Sequence, residues 1–301
     1  MCTCCSSQEI KCRRNRCLSL DCKDTVFTNP EEDQEGMVVI GEKINTVRES
    51  VLRAYREKDA AYIRNEAIRQ AEAGADVIDV NAGMGTDVDP DSMAWAVQIV
   101  QDAVDIPLCI DSPDPRTIRA GFEASRDKIN TWADSITLQK VRIEGILPLV
   151  KEYGCPVIAL CLGNAGIPKT AEGRIENAKR IVEIVDDYGI SLDKLYVDPL
   201  IEPISVRTDG GLVCLDTVRG IKSSIPGIKT VICLSAISFG MPRRKLINRV
   251  YLPLLMYAGI DAVFLDPLDG ELMKALTVAD TLLNRDEHCA HFLKMYREGK
   301  I

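Results

Sequence analysis

From Met37 onward the chain alternates short, continuously apolar runs with longer amphipathic stretches. The short runs predict strands buried on both faces at Val38–Ile40, Val77–Val80, Pro107–Ile110, Lys128–Asn130, Val157–Leu160, Leu195–Val197, Thr230–Leu234 and Ala262–Leu265. Between them, apolar residues at helical spacing predict helices at Ala54–Ala73, Asp91–Asp102, Thr117–Ala124, Thr137–Tyr153, Ala171–Tyr188, Gly211–Ser223, Arg243–Tyr257 and Gly270–Leu283. Gly74, Gly154, Gly189 and Gly259 each follow a helix just before the next strand, where a left-handed cap favours glycine. Strict alternation of strand and helix through eight such units predicts an α/β fold, a parallel (β/α)8 TIM barrel. An open doubly wound sheet is the competing architecture, weakened because no Gly-x-Gly-x-x-Gly follows a strand.

Several apolar runs stop abruptly at an acid. Cys109-Ile110-Asp111-Ser112-Pro113 is the clearest, and Val77-Ile78-Asp79-Val80-Asn81, Leu195-Tyr196-Val197-Asp198-Pro199 and Val263-Phe264-Leu265-Asp266-Pro267 repeat it. In a parallel barrel these tips meet at one rim, where active sites lie. The predicted rim holds Glu42 and Asn45, Asp79 and Asn81, Asp111, Asn130 with Asp134 nearby, Asn164, Asp198 and Glu202, Ser235 and Ser238, and Asp266. Its bases are Lys43, Lys169, Arg243 and Arg244, and both histidines, His288 and His291, fall far along the C-terminal helix. Acid–base chemistry by histidine and a histidine-ligated metal are therefore not expected there. Ionised carboxylates accept hydrogen bonds and amides both donate and accept, a mixture suited to a neutral heterocycle with a 2-amino-4-oxo-pyrimidine edge. A single strand-end Asp can equally be a helix cap or turn residue, so the set carries more weight than any member.

A chain of 301 residues is long enough for one barrel domain. A net charge of −8 argues against a nucleic-acid partner. No apolar run approaches the ~18 residues of a membrane span, and the N-terminus lacks the apolar segment of a signal peptide, so a cytoplasmic protein is expected. Cysteine is unevenly spread. Cys2, Cys4, Cys5, Cys12, Cys17 and Cys22 crowd the N-terminus, while Cys109, Cys155, Cys161, Cys214, Cys233 and Cys289 are scattered, most in apolar runs that suit small core residues. Residues 1–36 thus read as a Cys-rich extension and linker, and residues 37–301 as the barrel domain. The extension is dense enough in thiols to hold a metal but lacks paired Cys-x-x-Cys spacing, and a flexible tail of free thiols is the plainer alternative.

Several motifs occur in a recognisable order: Gly41-Glu42-Lys43-Ile44-Asn45, Asp79-Val80-Asn81-Ala82-Gly83, Cys109-Ile110-Asp111-Ser112, Ile129-Asn130, Gly166-Ile167-Pro168-Lys169, Tyr196-Val197-Asp198-Pro199-Leu200, Ser238-Phe239-Gly240-Met241-Pro242 and Leu246-Ile247-Asn248-Arg249. Together they resemble the pterin-binding family, from about Met37 to about Tyr296, and most of all its methyltetrahydrofolate:corrinoid-protein methyltransferases, the stand-alone type of acetogens and demethylating anaerobes. The resemblance implies a cytoplasmic homodimer with (methyl)tetrahydrofolate as substrate, a corrinoid carried by a partner protein, and no metal in the barrel. It implies catalytic roles for Asp111, Asn130 and Asp198. The implied pterin contacts are these three with Glu42, Asn45, Asp79, Asn81, Asn164, Ser235, Ser238 and Arg244.

The methyl group would pass between N5 of the folate and cobalt. Since cobalt(I) supplies the nucleophile, a rim without an activated Ser, Cys or His fits. One departure stands out: the family often has Ser-Asn-Val-Ser after the seventh strand, its Asn reaching N5, whereas this chain has Ser235-Ala236-Ile237-Ser238. Ser238, Asn164 and Asp198 are the candidates to replace that donor. Dihydropteroate synthase-like chemistry is a second reading, disfavoured because Thr46-Val47-Arg48-Glu49-Ser50 runs straight into a helix. A third is a weakly active pterin-binding protein with a thiol- or metal-sensing tail.

Overall fold

The computed structural model describes residues 36–82 and 90–301. In chain order these form β1 (Val38–Asn45), α1 (Glu49–Glu57), α2 (Ala60–Glu72), β2 (Val77–Asn81), α3 (Pro90–Gln101), β3 (Leu108–Asp111), α4 (Pro115–Ala124), β4 (Trp132–Ile136) and α5 (Lys140–Tyr153). There follow β5 (Val157–Leu160), α6 (Ala171–Asp187), β6 (Leu195–Asp198), α7 (Gly210–Ser224), β7 (Lys229–Cys233), α8 (Arg244–Ala258), β8 (Ala262–Leu265), α9 (Gly270–Leu282) and α10 (Ala290–Arg297). The eight strands close in sequence order, all parallel, with Val38 of β1 beside Ala262 of β8. The (β/α)8 barrel expected from the alternation is the observed fold.

Two apolar layers hold it. Inside the barrel, Ile40, Val77, Cys109, Trp132, Ile158, Tyr196, Val231 and Phe264 form one cluster to which every strand contributes, and the rings of Trp132 and Tyr196 lie 4.2 Å apart. Outside the strands, residues of the opposite parity, such as Ile78, Ile110, Ala133 and Val197, pack beneath the helices. Glycine is required at Gly259, where φ is 104° and the chain leaves α8 for β8.

Two elements differ from expectation. The long helix predicted over Ala54–Ala73 is two helices, broken at Lys58 (φ 53°). Asp59 caps the second by accepting the Tyr62 N–H at 3.0 Å. The fourth strand is displaced from Lys128–Asn130 to Trp132–Ile136. The apolar cue at Ile129 is a surface residue, 56% exposed, while the true strand carries Asp134 and Ser135 and lacks a continuous apolar run. Asn130 consequently precedes β4 at the amino end of the barrel, exposed, its amide donating to Asp127 at 2.8 Å. It cannot share a rim with the strand tips.

Of the scattered cysteines, Cys109, Cys155, Cys161 and Cys214 are buried, Cys233 is partly buried and Cys289 is exposed. The six N-terminal cysteines lie outside the described residues. No described helix is long and apolar enough to cross a membrane.

Candidate functional site

Side chains on a strand alternate faces, so the residue two beyond each member of the interior cluster points inward one layer higher, toward the carboxyl ends. Counting on from Ile40, Val77, Cys109, Trp132, Ile158, Tyr196, Val231 and Phe264 gives Glu42, Asp79, Asp111, Asp134, Leu160, Asp198, Cys233 and Asp266. An apolar plug is thus topped by a ring in which six of eight positions are acids. Like charges at this density, cut off from water, cannot all remain ionised without partners.

The β2–β6 arc is the more crowded. Asn81 and Asp111 are register partners on adjacent strands, and so are Asp111 and Asp134. The Asn81 amide donates to Asp111 Oδ2 in a very short contact. Burial pushes the Asp111 carboxyl up to about 6, a rise tempered by that amide and by the Arg142 guanidinium. Arg142 itself reaches in from α5 and donates to the Ser112 carbonyl at 2.8 Å. Asp134 is held well above the usual carboxylate range by burial and by the charges of Asp111 and Asp198. Asp79 is raised likewise by burial and by Asp111, Asp134 and Glu42; its Oδ1 is buried without a hydrogen-bond partner. Asp198, 7% exposed, accepts the Leu200 N–H at 2.6 Å. Burial still pushes it up to about 7, against the lowering by that N–H and by Arg174. These acceptors are short of donors, which is the condition of a site that a donor-rich ligand completes.

Across the barrel mouth, a cleft of about 630 Å³ opens beside β7, β8 and β1, with Glu42, Asn45, Ser235, Ala236, Phe239 and Arg244 among its walls. Glu42 accepts from Ser235 Oγ at 2.9 Å, and burial raises its carboxyl despite that bond. Lys43 pairs with Asp266 at 3.2 Å. Asn45 accepts the Val47 N–H at 3.0 Å, closing the turn after β1.

Two residues expected at the rim serve as scaffolding. Ser238 is fully buried and accepts from Arg244 Nε at 3.1 Å, while the same guanidinium donates to the Ser235 carbonyl at 2.8 Å. Together they fix the short helical segment Leu234–Ser238 that presents Ser235 and Ala236. Asn164 lies exposed on the connection between β5 and α6.

The structure therefore gathers Glu42, Asp79, Asn81, Asp111, Asp198 and Ser235 at one mouth, with Asn45 and Arg244 at its edge; Asn164 is exposed beyond it and Asn130 is at the opposite end. It adds Asp134, named near the predicted rim but not among the implied pterin contacts, because the fourth strand was expected at Lys128–Asn130. The signal was available, since Ala133-Asp134-Ser135 repeats the acid-then-serine ending of Ile110-Asp111-Ser112. No group of three His, Cys, Asp or Glu among the described residues is arranged to hold a metal.

Comparison with known proteins follows the same lines. The family model for pterin binding enzymes matches residues 41–266. The sequence is 37% identical to a methylcorrinoid:tetrahydrofolate methyltransferase of Eubacterium limosum, over 88% of this chain and 98% of that protein. It is 27% identical to a methionine synthase of Mycobacterium tuberculosis over 77% of this chain, a match that takes in only 20% of the longer protein. Among solved structures, dihydropteroate synthase of Xanthomonas albilineans in complex with 7,8-dihydropteroate superposes with a TM-score of 0.63 at 18% identity, over 83% of this chain and 95% of the other. The Yersinia pestis enzyme with a pterine-sulfa conjugate gives a TM-score of 0.62 at 15% identity, over 83% and 94%. At such identities the structural likeness speaks for the barrel alone.

Proposed function

The chain belongs to the pterin binding enzyme family, and from that premise we propose that it is a methyltransferase moving a methyl group between N5 of tetrahydrofolate and the cobalt of a corrinoid on a separate protein. The observation that carries this reading is the acid ring itself: buried carboxylates short of donors, at the mouth of a barrel with no histidine among them. The Eubacterium limosum relative, a methylcorrinoid:tetrahydrofolate methyltransferase, supports transfer from a methylated corrinoid to tetrahydrofolate.

A tetrahydropterin carries two adjacent donors, N3–H and the 2-amino group, which match the two oxygens of one ionised carboxylate. We assign them to Asp198, the acid that ends β6. With its amino end on the β3–β6 side, the ring extends across the mouth toward Ser235 and Ala236. The cleft there has room for the aminobenzoyl tail, and Arg48 and Lys245 on its walls suit a glutamyl carboxylate.

The corrinoid supplies the carbon–cobalt chemistry, so this chain needs no nucleophile of its own. What it must handle is the proton on N5, which leaves when the methyl group arrives and returns when it departs. Ala236 offers no side-chain donor. Glu42, hydrogen-bonded to Ser235 in the same cleft wall, is the group we assign to exchange that proton, its raised pKa bringing it closer to neutrality, where such exchange is efficient. The dihydropteroate synthase reading gains no support from the connection after β1, where only Thr46, Val47 and Arg48 separate the strand from α1.

The reading extends to a cytoplasmic homodimer. Its support is a stripe of exposed apolar side chains along α8, Leu246, Val250 and Leu254, with Tyr257 one turn on.

Anaerobic calorimetry with tetrahydrofolate, followed by spectroscopic assay with methylcobalamin, tests the proposal. Binding is expected, with Asp111→Ala and Asp198→Ala each weakening it about 10- to 100-fold, the loss of roughly 1.5–3 kcal/mol from a charge-assisted contact. Absence of binding to the wild-type chain, or variants as tight as wild type, overturns it.

A further inference from the structure

The edge shared by β3 and β4 sets two carboxyls side by side. Asp111, at the end of β3, and Asp134, midway along β4, are register partners, and both belong to the acid ring. Asp134 is faced by Asp111 on β3, Asp198 on β6, Asp79 on β2 and the Cys109 thiol, while Ser135 hydrogen-bonds it and Arg142 of α5 is the cation that acts on it. Its register partner on β5 is the apolar Ile158. Arg142 cannot neutralise the group alone, because it also serves Asp111 and spends a hydrogen bond on the Ser112 carbonyl.

Resting on the tetrahydrofolate reading above, we infer that Asp111 and Asp134 work as a singly protonated pair whose one donor and one acceptor match N1 and N8–H of the tetrahydropterin. The ring's own chemistry sets the requirement. With the donor–donor edge on Asp198, the adjoining edge presents N1, an acceptor, beside N8–H, a donor. Two ionised carboxylates can only accept, which leaves N1 unpartnered and sets two like charges together. Two neutral acids give N8–H only a weak acceptor. One proton on the pair satisfies both ring atoms.

The surroundings also say where the proton rests. The Asn81 amide already donates to Asp111 and, with Arg142, favours its ionised form, which titrates at about 6, while Asp134 has no such amide and is raised well above the ordinary carboxylate value by burial and by the charges of Asp111 and Asp198. At neutral pH Asp134 is the donor and Asp111 the acceptor. Asp134 is thus a residue that reads the reduced pterin ring, and it does so as a neutral acid.

The test uses the full chain under anaerobic conditions, with tetrahydrofolate as the probe. Affinity is measured by calorimetry from mildly acidic to alkaline pH, and the complex is examined by infrared spectroscopy for the carbonyl band of a protonated carboxyl. Wild type is expected to lose affinity at both ends of the range. Asp134→Ala loses about 10- to 100-fold at neutral pH. Asp134→Asn loses less, because an amide donates at every pH; its alkaline loss vanishes, and a carboxylic-acid band present in the wild-type complex is missing. Asp111→Asn probes the other member and keeps the test decisive should Asp134→Asn fold poorly: the proton stays on Asp134, so the carboxylic-acid band is retained. An alkaline loss that persists in Asp134→Asn, an acid band identical in wild type and Asp134→Asn, or an acid band missing from Asp111→Asn, overturns the pair. No binding to wild type overturns the pterin reading itself, a result distinct from binding with the wrong proton count.

Discussion

Asp198 shows what a binding carboxylate costs the empty fold. Its carboxyl titrates at about 7 rather than 3.8, because burial outweighs the Leu200 N–H and Arg174. In the unfolded chain it ionises near its ordinary value, so between about pH 4 and pH 7 the folded state holds a proton that the unfolded state has released. Stability from this group is therefore greatest below about pH 4 and declines as pH rises to about 7, beyond which the penalty is constant, with an upper bound of about 4 kcal/mol. Asp111, titrating at about 6, acts in the same sense over a narrower window. Thermal unfolding of the apo-protein should show a midpoint that falls across this range. Asp198→Asn, which keeps an oxygen to accept the Leu200 N–H, should flatten the slope and raise the midpoint at pH values above about 7, while losing tetrahydrofolate affinity. A variant less stable than wild type at alkaline pH would mean that Asp198 is charged at little cost and is not held in reserve for a ligand.

The element that positions Asp198 is the connection from β6 to α7, and it is built around a buried arginine. Arg174 of α6 is fully buried. It donates to the carbonyls of Pro168 at 3.0 Å, Pro199 at 3.3 Å and Leu200 at 2.6 Å, and to Glu202 at 2.8 Å. Leu200 is held at φ 64°, a conformation a branched side chain rarely adopts, and this turn directs its N–H at Asp198. Arg174→Met leaves Glu202 paired with Lys169 and Arg207 but strips the donor from the three carbonyls, each worth about 1–3 kcal/mol when left unsatisfied, and should weaken tetrahydrofolate binding through the slackened turn. Glu202→Gln leaves Arg174 its three carbonyls, so calorimetry should find a smaller loss of affinity than for Arg174→Met. Equal losses would show that the ion pair, rather than the carbonyl cradle, holds the turn.

None of this cradle was legible in the sequence, where Arg174 is one charge on an amphipathic helix and Glu202 reads as another rim acid. The strands were legible wherever both faces are buried, as at Val157–Leu160 and Ala262–Leu265, since a continuous apolar run then marks the element. β4 broke that rule because its upper half is polar. Asp134 and Ser135 erased the apolar signal, and Ile129, a surface residue, supplied a false one. The candidate site inherited the displacement, placing Asn130 at the rim where the structure puts Asp134.

At the scale of the molecule, the eight strands close on one another within the described residues. β1 begins at Val38, pairs with both β2 and β8, and Met37 is already buried in the outer apolar layer. The family match starts at Gly41. Residues 1–36 are proposed as an extension whose chemistry belongs to its cysteines rather than to the pterin site. A chain begun at Gly36 should then unfold at the same temperature as the whole protein and bind tetrahydrofolate with the same affinity, because every acid of the ring and both apolar layers remain. Metal analysis of the two chains, purified anaerobically, separates the readings of the thiols: zinc or iron found in whole-chain preparations and absent from the shortened one marks the extension as a metal site, and metal in neither leaves it a tail of free thiols. A lower unfolding temperature with weaker binding in the shortened chain would overturn the boundary, making the segment part of the folded unit that carries the site.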